Sequence, residues 1–128
     1  VSLALGEAFF TPESGPVRRH LWIIVSDPRR APKVVIANLS TKLPEDPDPA
    51  AVSIAPKEHP AISDVSIVRP EKARTADAKE LEKLLSQRVL SPTKPASPTL
   101  VEKIQQALGT SKQTALEIKE LLRAQGYL

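Results

Sequence analysis

Two short apolar runs rich in β-branched residues constrain this chain more than any other feature. Leu21-Trp22-Ile23-Ile24-Val25 and Val34-Val35-Ile36-Ala37 lie close together, divided by Asp27-Pro28-Arg29-Arg30-Ala31-Pro32. Five successive apolar residues imply a strand buried on both faces or a strongly bent central strand. The proline-bracketed segment between the runs reads as a turn. Each run ends in small polar residues, Ser26-Asp27-Pro28 after the first and Asn38-Leu39-Ser40-Thr41 after the second. Apolar strands that end in hydroxyls, with a histidine and arginines nearby, are expected to set polar chemistry on the rim of a small β core.

The remaining segments follow from local chemistry. Gly6-Glu7-Ala8-Phe9-Phe10 reads as a short first strand, and Thr11 to Pro16 as a loop, because two prolines and a glycine cannot hold a ladder. Residues 18–26 and 33–40 are the strong strands. Lys42 to Ala50 carries three prolines and three acids and reads as an exposed acidic loop. Residues 51–54 alternate as a short strand, Pro56 to Pro60 turns, and 64–69 reads as the last strand. Short strands joined by proline-rich loops predict an antiparallel sheet or small barrel. The pattern then turns helical. Asp77 with Glu80 makes a capping-box pattern, and Leu81, Leu84 and Leu85 share one face. Ser91 to Pro98 reads as a linker or wrapped arm. A second capping box, Thr99 to Glu102, predicts a helix with Leu100, Val101, Ile104 and Leu108 inward, stopped at Gly109. A third helix is expected over about 111–125, with Ile118, Leu121 and Leu122 inward. The reading is thus an α+β chain. Residues 1–90 form the barrel with a first helix, and 91–128 form a proline-rich linker and a helix pair packed on the barrel or on a dimer partner. A DNA-reading helix–turn–helix fits this pair poorly, because its apolar spacing is wrong and its second helix mixes both charge signs.

Composition narrows the function classes. The 128 residues suit one domain with one core, and aromatics at 3% make that core aliphatic. No cysteine is present, so disulfides and thiolate metal sites are out, which fits a reducing cytosol. With two histidines and no close carboxylate spacing, neither a metal nor another cofactor is expected. No run nears the roughly 20 apolar residues of a membrane span, and the N-terminus lacks the basic start of a signal peptide. A cytoplasmic location is expected. There is no methionine, and the chain starts at Val1, which implies a removed initiator or a trimmed chain. A net charge of +3 and a pI near 9.3 admit an anionic partner without requiring one.

The order of segments over about residues 5–88 resembles the PemK/MazF-like toxins, small endoribonucleases of type II toxin–antitoxin systems. The resemblance rests on Gly6-Glu7, on Arg18-Arg19-His20-Leu21 leading to Ser26-Asp27-Pro28, on Ser40-Thr41, and on Val68-Arg69-Pro70-Glu71-Lys72-Ala73-Arg74-Thr75-Ala76-Asp77. The chain departs from that family's pattern at Leu21, usually proline, at His20, often arginine, and at Pro70-Glu71, where the acid is usually Asp. The resemblance implies a five- to six-stranded SH3-like antiparallel β-barrel with C-terminal helices and a homodimer. It also implies a cognate antitoxin and cleavage of single-stranded RNA without metal.

Such cleavage uses the neighbouring 2′-hydroxyl as nucleophile. It needs a base, an acid for the leaving oxygen, and donors for the charge that builds on phosphorus. The matching positions supply these types. Glu71 is the candidate base, and Arg69 the phosphate clamp, since its planar fork suits phosphate oxygens. Ser40 is the candidate donor, with Thr41 beside it. His20 or His59 is the acid or base, because histidine is the side chain type that titrates near neutrality. Arg18, Arg19, Thr41, His59, Lys72 and Arg74 are the candidate RNA contacts. Structural roles compete at each position: Ser40-Thr41 as a strand end, His59 as a turn residue, Arg69 and Glu71 as an ion pair on one strand face. The competing function is a catalytically silent barrel of the same fold that binds protein or nucleic acid.

Overall fold

The computed structural model describes residues 3–12, 20–44 and 52–128. Among these residues seven strands form one antiparallel sheet: β1 (Ala8–Phe10), β2 (Leu21–Ile24), β3 (Lys33–Thr41), β4 (Ser53–Ile54), β5 (Ser66–Val68), β6 (Arg74–Asp77) and β7 (Ser91–Thr93). Three helices join them: α1 (Ala78–Ser86), α2 (Pro98–Thr110) and α3 (Leu116–Ala124). The strand path runs β4-β5-β3-β2-β1-β7, and β6 pairs with β3 beside β5. The expectation of five or six strands ending at residue 69 undercounts the sheet. Arg74–Asp77 is hidden from a sequence reading by its charges. Ser91–Thr93 is hidden by Pro92, a residue that only a sheet edge tolerates, and β7 is that edge, paired on β1.

Burial on both faces explains the continuous apolar runs. Leu21, Ile23 and Val25 pack with Val35, Ala37 and Leu39 in one cluster. Trp22 and Ile24 pack with Val34 and Ile36 in another. Helices α2 and α3 cover the first face through Leu100, Ile104, Leu108, Ile118 and Leu122. Helix α1 covers the second through Ala78 and Leu81. The C-terminal helices therefore spend their apolar faces on the sheet.

Helix ends differ from expectation in detail. Asp77 caps α1 as read, accepting from the N–H groups of Lys79 and Glu80. The cap of α2 is Ser97 rather than Thr99; its hydroxyl accepts from the Leu100 N–H, and Pro98 takes the first helical position, where a missing N–H costs nothing. The same helix continues through Gly109 to Thr110, and α3 begins only at Leu116. Gly6 sits at φ +92°, a conformation that suits glycine. From there its N–H reaches the Ile24 carbonyl and its own carbonyl takes the Ala96 N–H, both at 2.8 Å.

The turn after β2 is tied to the helices. The Ser26 hydroxyl accepts from the Val35 N–H at 2.7 Å, and Gln105 donates to the Val25 carbonyl at 2.9 Å. The Gln125 side chain accepts from the Asp27 N–H and donates to the Asp27 carbonyl, at 2.8 and 3.3 Å. Arg30 donates to the Gln125 carbonyl at 2.6 Å. Hydrogen bonds from Arg29 hold the Asp27 carboxyl below the usual carboxylate range. Elsewhere Glu58 accepts from the Ala55 N–H and pairs with Lys103 of α2 at 3.0 Å. Burial acts to raise the Glu58 carboxyl, but those two partners outweigh it and hold it low.

Two outcomes follow. Ile118 is 2% exposed in the seam between α3 and the sheet. Ile118→Asp should cost about 3–5 kcal/mol in denaturant unfolding, the scale of an uncompensated buried charge. For Glu58, a lowered carboxyl stabilises the fold above its ordinary value and loses that contribution as pH falls through the lowered one. The stability gap between the parent and Glu58→Gln should therefore be full at neutral pH and close in acid, below about pH 4.

Candidate functional site

An antiparallel hairpin sends its two C-terminal ends in opposite directions. The polar residues after the two apolar runs therefore do not share one rim. Ser26 and Asp27 lie at the helix-bound end and are consumed in structural bonds. Ser40 and Thr41 lie at the other end of the sheet, beside the entrance to β2, where His20 precedes Leu21.

Register defines one row of side chains there. Trp22 pairs with Asn38 and Leu21 with Leu39. Since alternate residues share a face, His20, Trp22, Asn38 and Ser40 lie on the face of the second cluster. On the far edge of β3, β5 pairs with Leu39–Thr41 and β6 with Lys33–Ile36. The chain between them, Arg69 to Ala73, arches away from β3 opposite Ala37 and Asn38. It is anchored by the Arg69 N–H on the Asn38 carbonyl at 3.0 Å. Pro70–Lys72 forms a single 3-10 turn, its first position held by proline's fixed φ.

The arch sets an arginine at each root. Arg69 turns back over β3, where its Nε donates to the Ser40 Oγ at 2.7 Å and its terminal nitrogen to the Thr41 carbonyl at 3.4 Å. Arg74 pairs with Ile36, two residues from Asn38 and so about 7 Å along the strand. Its guanidinium lies 4.5 Å from the centre of the Trp22 ring. Glu71 and Lys72 are exposed on the arch. Glu71 and Arg69 therefore do not share a strand face as their spacing predicted, because the strand ends at Val68. A cavity of about 360 Å³ adjoins this end, with Ser40, Thr41, Leu21, Ile62 and Asp64 among its walls.

The same face carries polar atoms without partners. Asn38 is 1% exposed, and neither its amide oxygen nor its amide nitrogen is hydrogen-bonded. The indole N–H of Trp22 and Nδ1 of His20 are buried and unpaired as well. Native interiors seldom leave such groups unsatisfied without a reason. Neither Trp22 nor Asn38 is identified as a site residue by sequence reasoning. The available signal is an amide inside a β-branched run at a position whose parity faces the core, opposite the chain's one tryptophan.

The structure gathers His20, Ser40, Arg69 and Arg74 on this face, with Glu71 and Lys72 on the arch beside it and Thr41 at the strand end. His59, a candidate RNA contact by sequence, does not join them. It is 2% exposed, its Nδ1 accepts from the Ala61 N–H at 3.0 Å, and its Nε2 is bound to the Lys94 carbonyl. Both ring nitrogens are thus occupied. Arg18 and Arg19 lie outside the described residues, as does most of the acidic loop. A second cavity of about 380 Å³, between Leu5, Val101, Gln105 and Tyr127, offers one carboxylate, Glu102, and no histidine or cation. Among the described residues no three His, Asp or Glu side chains are grouped to hold a metal, and no helix is long and apolar enough to cross a membrane.

The unpaired amide has a thermodynamic signature. A buried polar group left without a hydrogen bond costs about 1–3 kcal/mol. Asn38→Leu keeps the branched shape and removes that cost, so it should raise unfolding free energy by about 1–2 kcal/mol in chemical denaturation.

The sequence matches no family model and no curated protein. Among solved structures, a chain of the crystal structure of MazE-MazF (Form-III) from Deinococcus radiodurans superposes with a TM-score of 0.53 at 12% identity. The match covers 90% of this chain and 100% of that one. The two chains therefore share a fold at almost no sequence identity, and this chain has a MazF-like fold.

Proposed function

We propose that this chain is a MazF-like toxin that cleaves single-stranded RNA without metal, by attack of a 2′-hydroxyl on the adjacent phosphate. The observation that carries this reading is the Arg69–Ser40 contact of 2.7 Å on a face that also holds His20 and Arg74, in a chain of MazF-like fold. Arg69 clamps the phosphate, its planar fork already oriented by Ser40 and the Thr41 carbonyl. Glu71 takes the proton of the 2′-hydroxyl, and His20 gives one to the departing 5′-oxygen. The bond from phosphorus to the 5′-oxygen breaks as that to the 2′-oxygen forms, leaving a 2′,3′-cyclic phosphate and a 5′-hydroxyl. Arg18, Arg19, Lys72 and Arg74 carry the strand on either side, a second copy of the chain completes the groove, and a MazE-type protein is the antagonist.

Cleavage of single-stranded RNA in EDTA, with end-group analysis of the products, tests this reading. The parent protein should give cyclic-phosphate ends. Arg69→Ala and Glu71→Gln should each lose about 10²–10³ in rate, the scale for one oriented group, and should relieve growth arrest on expression. Binding of an uncleavable strand should weaken steeply with salt, since the contacts are to phosphate. An intact RNA pool after long incubation, together with salt-independent binding of the same strand, would favour the silent binding barrel.

A further inference from the structure

The proposed roles leave three polar groups on this face unused: both ends of the Asn38 amide and the Trp22 indole N–H. We propose that Asn38 and Trp22 form a subsite that reads one nucleobase of the bound strand, with Trp22 as the stacking platform and the Asn38 amide pairing with the base edge. This inference rests on the RNA-cleaving reading and adds to it the residues that set sequence preference.

Three observations carry it. First, Asn38 is buried to 1%, yet neither atom of its side-chain amide has a hydrogen-bond partner. Its amide offers a donor and an acceptor side by side. A nucleobase edge presents the complementary pair, and the N6 amine and N7 of adenine are the pattern that an asparagine matches with two bonds. Secondly, Trp22 is the direct cross-strand partner of Asn38, so an object held on one ring lies within reach of the other side chain. Thirdly, the face of that ring carries the Arg74 guanidinium at 4.5 Å. A flat cation on an indole occupies the place a stacked base takes, and stacking is the usual way single strands are held. Arg74 is exposed at the root of the arch and is free to swing outward toward a flanking phosphate as the base enters. Arg69, anchored 3.0 Å from the Asn38 carbonyl through its own N–H, sets the clamped phosphate next to this base.

The chain has one tryptophan, which gives a direct readout independent of catalysis. Four short oligoribonucleotides with 2′-deoxy substitution at every position that could be cleaved, differing in a single central base, are titrated against the full-length protein. Indole fluorescence and the indole N–H resonance are followed. One base, expected to be adenine, should bind about 5- to 100-fold more tightly than the weakest and shift the indole resonance. Asn38→Ala should flatten that preference while Arg69-dependent affinity for the strand remains. If Asn38→Ala fails to fold, the side-chain amide resonances of Asn38 in the parent serve instead, and they should move with the preferred base. Equal affinity for all four bases, or a preference that survives Asn38→Ala, overturns the subsite while leaving the cleavage reading intact. An indole and an Asn38 amide that respond to none of the strands, in a protein that still cleaves RNA, overturn it too. A protein that neither binds nor cleaves any strand removes both readings.

Discussion

Everything in this chain depends on a hairpin that has no wet side. The β2 residues and residues 34–37 of β3 are at most 6% exposed, so each face of the sheet has to be covered by something else. The three helices exist in their present places for that reason. Two of them roof the first face, and the third, together with Leu3 and Leu90, roofs the second. That second face changes character at Trp22, which is still only 6% exposed. From there the same row of side chains turns polar, with Asn38 opposite Trp22, then Ser40 on β3 and His20 at the entrance to β2. The candidate site is thus the place where one face of a two-sided core turns from apolar to polar, and it shares its floor with the aliphatic part of that face. A packed floor of that kind holds polar groups oriented at little cost.

The sequence made much of this legible, and the failures share a physical cause. The two β-branched runs announced the central strands, and Asp77 announced the cap of α1, because both signals are local. The resemblance carried the fold, as the solved structure of shared fold bears out. What local signals could not convey was partnership. Arg74–Asp77 reads as charged surface, yet it is a strand because β3 offers a free edge there. Pro92 reads as a linker residue, yet one edge position tolerates it. Arg69 and Glu71 read as neighbours on a face until β5 ends between them and the turn at Pro70 separates their directions. His59 reads as available, but a carbonyl 35 residues away claims its ring. Asn38 shows the converse. It sits where a Val or Ile would be expected, and only the structure reveals that nothing among the described residues answers its side-chain amide.

The clasp between Gln125 and the turn at Asp27 has a consequence for how the chain comes into being. The two residues are separated by 98 positions, and α2 and α3, which roof the first face, also lie late in the chain. During synthesis at about 5–20 residues per second, the hairpin therefore waits roughly 5–20 s for its partner to emerge. For most of that interval Leu21, Ile23, Val35 and Leu39 lack the cover of α2 and α3. Long-range closure of this kind slows folding and lengthens the exposure of apolar strands. The nascent chain is thus at greatest risk of aggregation when most of its sheet is already made and the helices that cover the first face are not.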